Sequence, residues 1–184
     1  MIYIIRHTKP QVQKGMCYGW TDLDVAESFI DELEIIKGKT PDFKNYKVYS
    51  SPLQRCYKLA KELYSENDIT KDNRIKEINF GEWEGRVWEN MESDLVKEWC
   101  CDFVNNRVPG GESFNDLYNR VESFWKDIDK TKDNLIVAHD GVIRALLCLL
   151  LDIPKENAFR FDFSYGTIIR VTPWELPHCK IAFL

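Results

Sequence analysis

The stretch that decides the fold is Met1–Thr8, MIYIIRHT. Ile2, Tyr3, Ile4 and Ile5 are β-branched or aromatic and leave no polar face, the pattern of a strand buried on both sides in a parallel sheet. Arg6 and His7 then stand at the strand's carboxyl end, where open α/β sheets hold their ligands. A second stretch, Asn134–Arg144 (NLIVAHDGVIR), has the same order: an apolar run from Leu135 to Ala138, then His139, then Gly141 as a turn into a further apolar segment. The chain has three histidines, and two of them end apolar strand patterns. A single histidine so placed is most simply a core residue. Two, with an arginine beside one of them, point to a site. A guanidinium at a strand mouth forks onto phosphate or carboxylate oxygens, so the ligand is expected to be an anion.

Composition narrows the class. With 184 residues, 44% apolar and 30% charged, the chain suits one globular domain with a sizeable core. No apolar run approaches the ~20 residues of a membrane helix, and the N-terminus lacks a secretory pattern because Arg6 interrupts it. A net charge of -5 argues against nucleic acid as the main partner, which calls for clustered Lys and Arg. An anionic substrate must then be held by a local cluster. The six cysteines, Cys17, Cys56, Cys100, Cys101, Cys148 and Cys179, show no paired metal spacing such as C-x-x-C. Reduced thiols in a cytoplasm are the simplest reading, and no metal or other cofactor is expected.

Outward from the two histidine stretches, Lys9–Gly19 reads as a loop that brings Tyr18 and Trp20 near the site, either to pack the loop or to line the pocket. Ala26–Lys37 has helical spacing and Gly38 as a stop. Lys47–Ser50 reads as a short strand. Ser50, Ser51 and Pro52 then open a helix, a hydroxyl serving as N-cap. Arg55 falls in its first turn, as a solvated charge or as a second phosphate ligand. Glu77 sits between apolar neighbours, whose burial would raise its pKa; Glu82 and Glu84 compete with it. Arg86–Asn106 is roughly helical and is broken by Pro109-Gly110-Gly111. Glu112–Lys130 is an amphipathic helix. Two late strands, Phe159–Phe163 and Thr167–Val171, flank a Tyr165-Gly166 turn, and Lys180–Leu184 is a candidate third. His178 reads as a surface residue. This alternation predicts an α/β fold: a three-layer αβα single domain, residues 1–184, with a mostly parallel central sheet.

Four blocks in order carry a resemblance: RHT after the first strand, SSPLQR at Ser50–Arg55, EINFGEWEG at Glu77–Gly85, and VAHDGVIR at Val137–Arg144. Together they resemble the four signatures of the histidine phosphatase superfamily, the phosphoglycerate mutase-like family. GMCYGWTDLDV at Gly15–Val25 is similar to the segment that follows the RH motif in bacterial α-ribazole phosphatases. Relatives usually carry glycine where Thr8 and Asp140 stand.

The resemblance implies a phosphomonoesterase that works through a phosphohistidine. On it, His7 is the nucleophile, Glu77 gives and takes the proton, and Arg6, Arg55 and His139 hold the phosphate oxygens without a metal. Thr8, Tyr18, Trp20 and Asp140 would line the substrate site, with a cap segment at about 86–110. The expected partner is a small phosphorylated metabolite, with neither nucleic acid nor a membrane. The narrower likeness implies hydrolysis of α-ribazole 5'-phosphate in cobalamin nucleotide-loop assembly. A phosphoglycerate mutase or a broad sugar-phosphate phosphatase uses the same machinery. A catalytically silent binding module would be expected to have lost part of the constellation, yet Arg6, His7, Arg55, Glu77 and His139 are all present.

Overall fold

The fold is known from a computed structural model that describes residues 1–64, 68–91, 93–172 and 179–184. Two apolar strands, β1 (Ile2–Arg6) and β4 (Asn134–Ala138), form its centre and run parallel, with Arg6 paired to Ala138. On the far side of β4, β2 (Lys47–Ser50) and then β3 (Ile69–Lys71) continue the parallel sheet. On the far side of β1, β5 (Ile168–Thr172) and β6 (Lys180–Phe183) pair antiparallel. The order is β3-β2-β4-β1-β5-β6, a mixed six-stranded sheet.

The alternation along β1 builds the three layers. Ile2 and Ile4 face α4 (Phe114–Asp127) and α5 (Asp140–Leu151), where Leu117, Val121, Val142 and Leu146 complete one core. Tyr3 and Ile5 face α1 (Phe29–Lys39) and α2 (Gln54–Leu63), against Leu33, Ile36, Cys56 and Leu59. A strand buried on both faces needs this unbroken apolar run, since successive side chains point to opposite sides. Helix α3 (Ser93–Cys101) lies in the 86–110 region beside a smaller cluster around Cys17, Trp83 and Val108. Among the described residues no helix is long and apolar enough to cross a membrane.

Several local expectations are corrected. Helix α1 starts at Phe29, because Ala26 is drawn into the loop, its amide donating to the Lys9 carbonyl at 2.9 Å. The serine hydroxyls do not cap α2. The Asp22 carboxylate instead accepts the Gln54 amide at 2.7 Å, and Ser51 is used elsewhere. Phe159–Phe163 is not a strand, and Lys155–Arg160 winds into 3-10 turns. The carbonyls a ladder would need are taken by arginines: Arg144 donates to those of Ala158 and Phe161, and Arg6 to that of Phe163. Among the described residues the late strands are therefore β5 and β6. His178 lies outside the described residues.

Candidate active site

Register brings the site together. Arg6, Ala138 and Ser50 end neighbouring parallel strands, so His7, His139 and Ser51 emerge side by side at one sheet edge. The His7 amide donates to the Ala138 carbonyl, and the Ser51 amide to that of Val137, both at 3.0 Å. The two imidazoles meet edge to face, with centroids 5.1 Å apart.

His7 is buried, and its Nδ1 lies 2.7 Å from the Thr8 carbonyl oxygen. A carbonyl only accepts, so Nδ1 carries the hydrogen and Nε2 keeps its lone pair. Burial, then the positive charge of Arg55 and, more weakly, Arg6 hold the His7 pKa well below the usual imidazole value, against the hydrogen bond to Thr8. The ring is therefore neutral at pH 7, the form a nucleophile requires. His139 is neutral for the same leading reason, burial, followed by Arg55 and His7 itself. Its Nε2 lies 2.7 Å from Ser51 Oγ.

Arg55 is fully buried in the first turn of α2. Its guanidinium is fixed by the carbonyls of Gly19 at 2.7 Å and Thr21 at 3.0 Å. Arg6 lies 3.4 Å from an Asp140 oxygen. The Nε of both arginines is buried without a hydrogen-bond partner, a costly state that a phosphate oxygen would relieve.

The Glu77 carboxyl is buried and accepts amides from Ile78 at 2.9 Å and Gly141 at 3.2 Å. Burial raises its pKa, and the Asp140 charge adds to that; the two amides and Arg55 oppose it. Gly141 is required here: a Cβ would lie 2.4 Å from Glu77 Oε1. The competing acids are engaged elsewhere. Glu82 is exposed, and Glu84 ties down the loop by accepting the Trp20 amide at 2.7 Å and the Thr21 hydroxyl.

A cleft of about 180 Å³ opens over Arg6, His7, Glu77, Asp140 and Gly141. Its outer wall is Met16, Tyr18, Ile78, Phe80, Trp88 and Phe159. Tyr18 and Asp140 thus line it. Thr8 and Trp20 do not: Thr8 is buried and serves His7 through its carbonyl, while the Trp20 indole clips the Glu77 carbonyl at 2.8 Å from outside. Sequence reasoning gave no site role to Ser51, Phe159 or Tyr165. Tyr165 looked like an ordinary turn residue, yet its ring sits 4.5 Å from the Arg6 guanidinium.

This constellation can neutralise a phosphoryl group and present an unprotonated imidazole to it. Residues 2–176 match the profile of the Histidine phosphatase superfamily (branch 1). The chain belongs to this superfamily. Histidine phosphatase relatives include Phosphoserine phosphatase 1 of Hydrogenobacter thermophilus, 28% identical over 91% of this chain and 85% of that protein. Adenosylcobalamin/alpha-ribazole phosphatase of Salmonella typhimurium is 25% identical over 90% and 86%. The crystal structure of the alpha-ribazole phosphatase from Shigella flexneri superposes with a TM-score of 0.85 at 24% identity, covering 100% of this chain and 95% of that one. The protein is a phosphatase of this superfamily, with the family's α/β fold.

Proposed function

We propose that this histidine phosphatase hydrolyses a small phosphomonoester with a flat, uncharged leaving group, α-ribazole 5'-phosphate being the compound that fits best. The observation that carries this is the outer wall of the cleft: Met16, Tyr18, Ile78, Phe80, Trp88 and Phe159. Among the described residues lining the cleft, Arg6 is the one cation, and it lies at the phosphate end. Phosphoserine, 3-phosphoglycerate and fructose 2,6-bisphosphate each carry a second anionic group, which this wall would desolvate unpaired. An aromatic base would instead stack there. Segment 86–110 acts as a cap on this reading, since it supplies Trp88. The six free cysteines suit a cytoplasmic enzyme.

The chemistry runs in two steps. His7 Nε2 forms a bond to phosphorus as the ester P–O bond breaks, and Glu77 passes its proton to the leaving oxygen. Arg6, Arg55 and His139 stabilise the oxygens of the transferring phosphoryl group. Glu77, now ionised, takes a proton from water whose oxygen attacks phosphorus; the N–P bond breaks and phosphate leaves. One carboxyl that serves as acid and then base needs a pKa near the working pH, and burial moves Glu77 that way.

The test is hydrolysis of an ester panel in chelator: α-ribazole 5'-phosphate, phosphoserine, 3-phosphoglycerate, fructose 2,6-bisphosphate and an aryl phosphate. A kcat/KM for the ribazole ester at least tenfold above the rest supports the substrate. Preference for phosphoserine overturns it in favour of the activity for which the Hydrogenobacter relative is named. Acid-quenched labelled substrate should leave acid-labile label on the wild type and none on His7→Ala; no label on the wild type would remove the covalent step.

A further inference from the structure

Two tyrosines outside the catalytic set are each seated on one of the phosphate-site arginines. The Tyr165 ring lies 4.5 Å from the Arg6 guanidinium carbon and 5.7 Å from the His7 ring. The Tyr18 ring lies 5.3 Å from the Arg55 guanidinium carbon. Their hydroxyl oxygens are 2.8 Å apart, joined by a hydrogen bond that spans 147 positions of sequence.

Both ends of this bridge are anchored to the site's backbone. The turn bearing Tyr165 is tied to the end of β1: the Gly166 amide donates to the His7 carbonyl at 3.2 Å, and the Arg6 amide to the Thr167 carbonyl at 3.0 Å. Tyr18 precedes Gly19, whose carbonyl accepts from Arg55. An aromatic face against a guanidinium uses none of its N–H donors while restricting its rotation. Arg6 comes from a strand end and Arg55 from a helix start. The chain of contacts Arg6–Tyr165–Tyr18–Arg55 joins them.

We propose that Tyr18 and Tyr165 are a linked pair of positioning residues, whose hydroxyl bridge fixes the two arginines at the spacing a phosphoryl group requires. The inference rests on the reading of Arg6 and Arg55 as phosphate ligands. It makes the two hydroxyls one unit: breaking the bridge from either side has the same effect, and breaking it twice adds nothing.

The experiment is a double-mutant cycle on the full chain with Tyr18→Phe, Tyr165→Phe and the pair. Phenylalanine keeps each ring over its arginine and removes only the bridge. The readouts are kcat and KM for an aryl phosphate, the inhibition constant of inorganic phosphate, and the melting temperature. Each single variant should weaken phosphate inhibition and raise KM about fivefold, the size of one hydrogen bond, with kcat changed less. The double variant should also show about fivefold. A multiplicative double variant, or singles that lower only the melting temperature, would overturn the coupling while leaving the phosphatase reading intact. A wild-type protein that neither turns over esters nor binds phosphate would remove both.

Discussion

The Asp140 carboxylate is shared between two arginines: Oδ2 lies 2.6 Å from Arg144 Nε, and Oδ1 lies 3.4 Å from Arg6 Nη1. A carboxylate at a phosphate site should repel the ligand. Arg144, itself buried and held by the carbonyls of Ala158 and Phe161, offsets that charge. Asp140 thereby restrains Arg6 without standing as a bare anion.

The same charge acts on Glu77. Asp140 is the second cause, after burial, of the raised Glu77 pKa; the Ile78 and Gly141 amides and Arg55 act against it. On the proposed mechanism Glu77 must hold its proton to protonate the leaving group, so kcat should fall as pH rises through its pKa. Asp140→Asn removes a like charge and lowers that pKa. The high-pH limb of kcat should therefore move to lower pH, while inorganic phosphate binds more tightly. Both are read from pH–rate profiles and product inhibition. An unmoved limb with weaker phosphate binding would reduce Asp140 to a strut for Arg6.

Ser51 shows what the sequence could and could not convey. Residue type and strand grammar placed Arg6, His7 and His139 at one sheet edge, because apolar runs ending in polar residues fix where a parallel strand stops. The partner of a short hydroxyl is a tertiary matter. Ser51 stands where an N-cap is expected, yet Asp22 caps the helix and Ser51 Oγ sits 2.7 Å from His139 Nε2. Phe159 was misplaced for a related reason: its alternating neighbourhood suits a strand, but Arg144 and Arg6 capture the carbonyls. Long-range side-chain bonds of this kind leave no local periodicity. Ser51→Ala should cost kcat about tenfold, as expected when a group orienting a catalytic imidazole is lost, with KM little changed and the melting temperature within a few degrees of wild type. An unchanged kcat would mean that packing alone orients His139.

Buried titratable groups also set how stability varies with pH. His7 and His139 have folded-state pKa values lowered mainly by burial. As pH falls below about 6.5, the unfolded chain takes up protons that the folded chain refuses, so stability is lost toward acid. Glu77 has the opposite sign. Its folded-state pKa is raised, so its contribution is fully present below the unfolded value near 4.5 and is lost as pH rises through the folded one. Glu77→Gln removes the second effect and keeps the first. Its melting temperature should exceed wild type by about 3 °C at pH 7.5 and converge with it toward pH 5, measured by thermal unfolding from pH 5 to 8. A difference constant across that range would show that Glu77 titrates alike in both states.

Gly141 provides the sharpest geometric test of the acid. Its amide approaches both Glu77 carboxyl oxygens, at 3.2 and 3.3 Å, and an added Cβ would meet Oε1 at 2.4 Å and Leu117 Cδ2 at 2.9 Å. Leu117 is core, fully buried on α4, so the carboxyl must give way. Gly141→Ala displaces Glu77 from the cleft floor while leaving Arg6 and His7, at the end of the neighbouring parallel strand, in place. The first step then lacks its proton donor, and esters with poor leaving groups should suffer most. We expect kcat for an alkyl phosphate to fall about a hundredfold, within the range general acid catalysis contributes. An activated aryl phosphate, whose leaving oxygen departs unprotonated, should lose much less. The ratio of the two rates measures the acid directly, and an equal loss on both esters would point to damage at His7 or Arg6 instead.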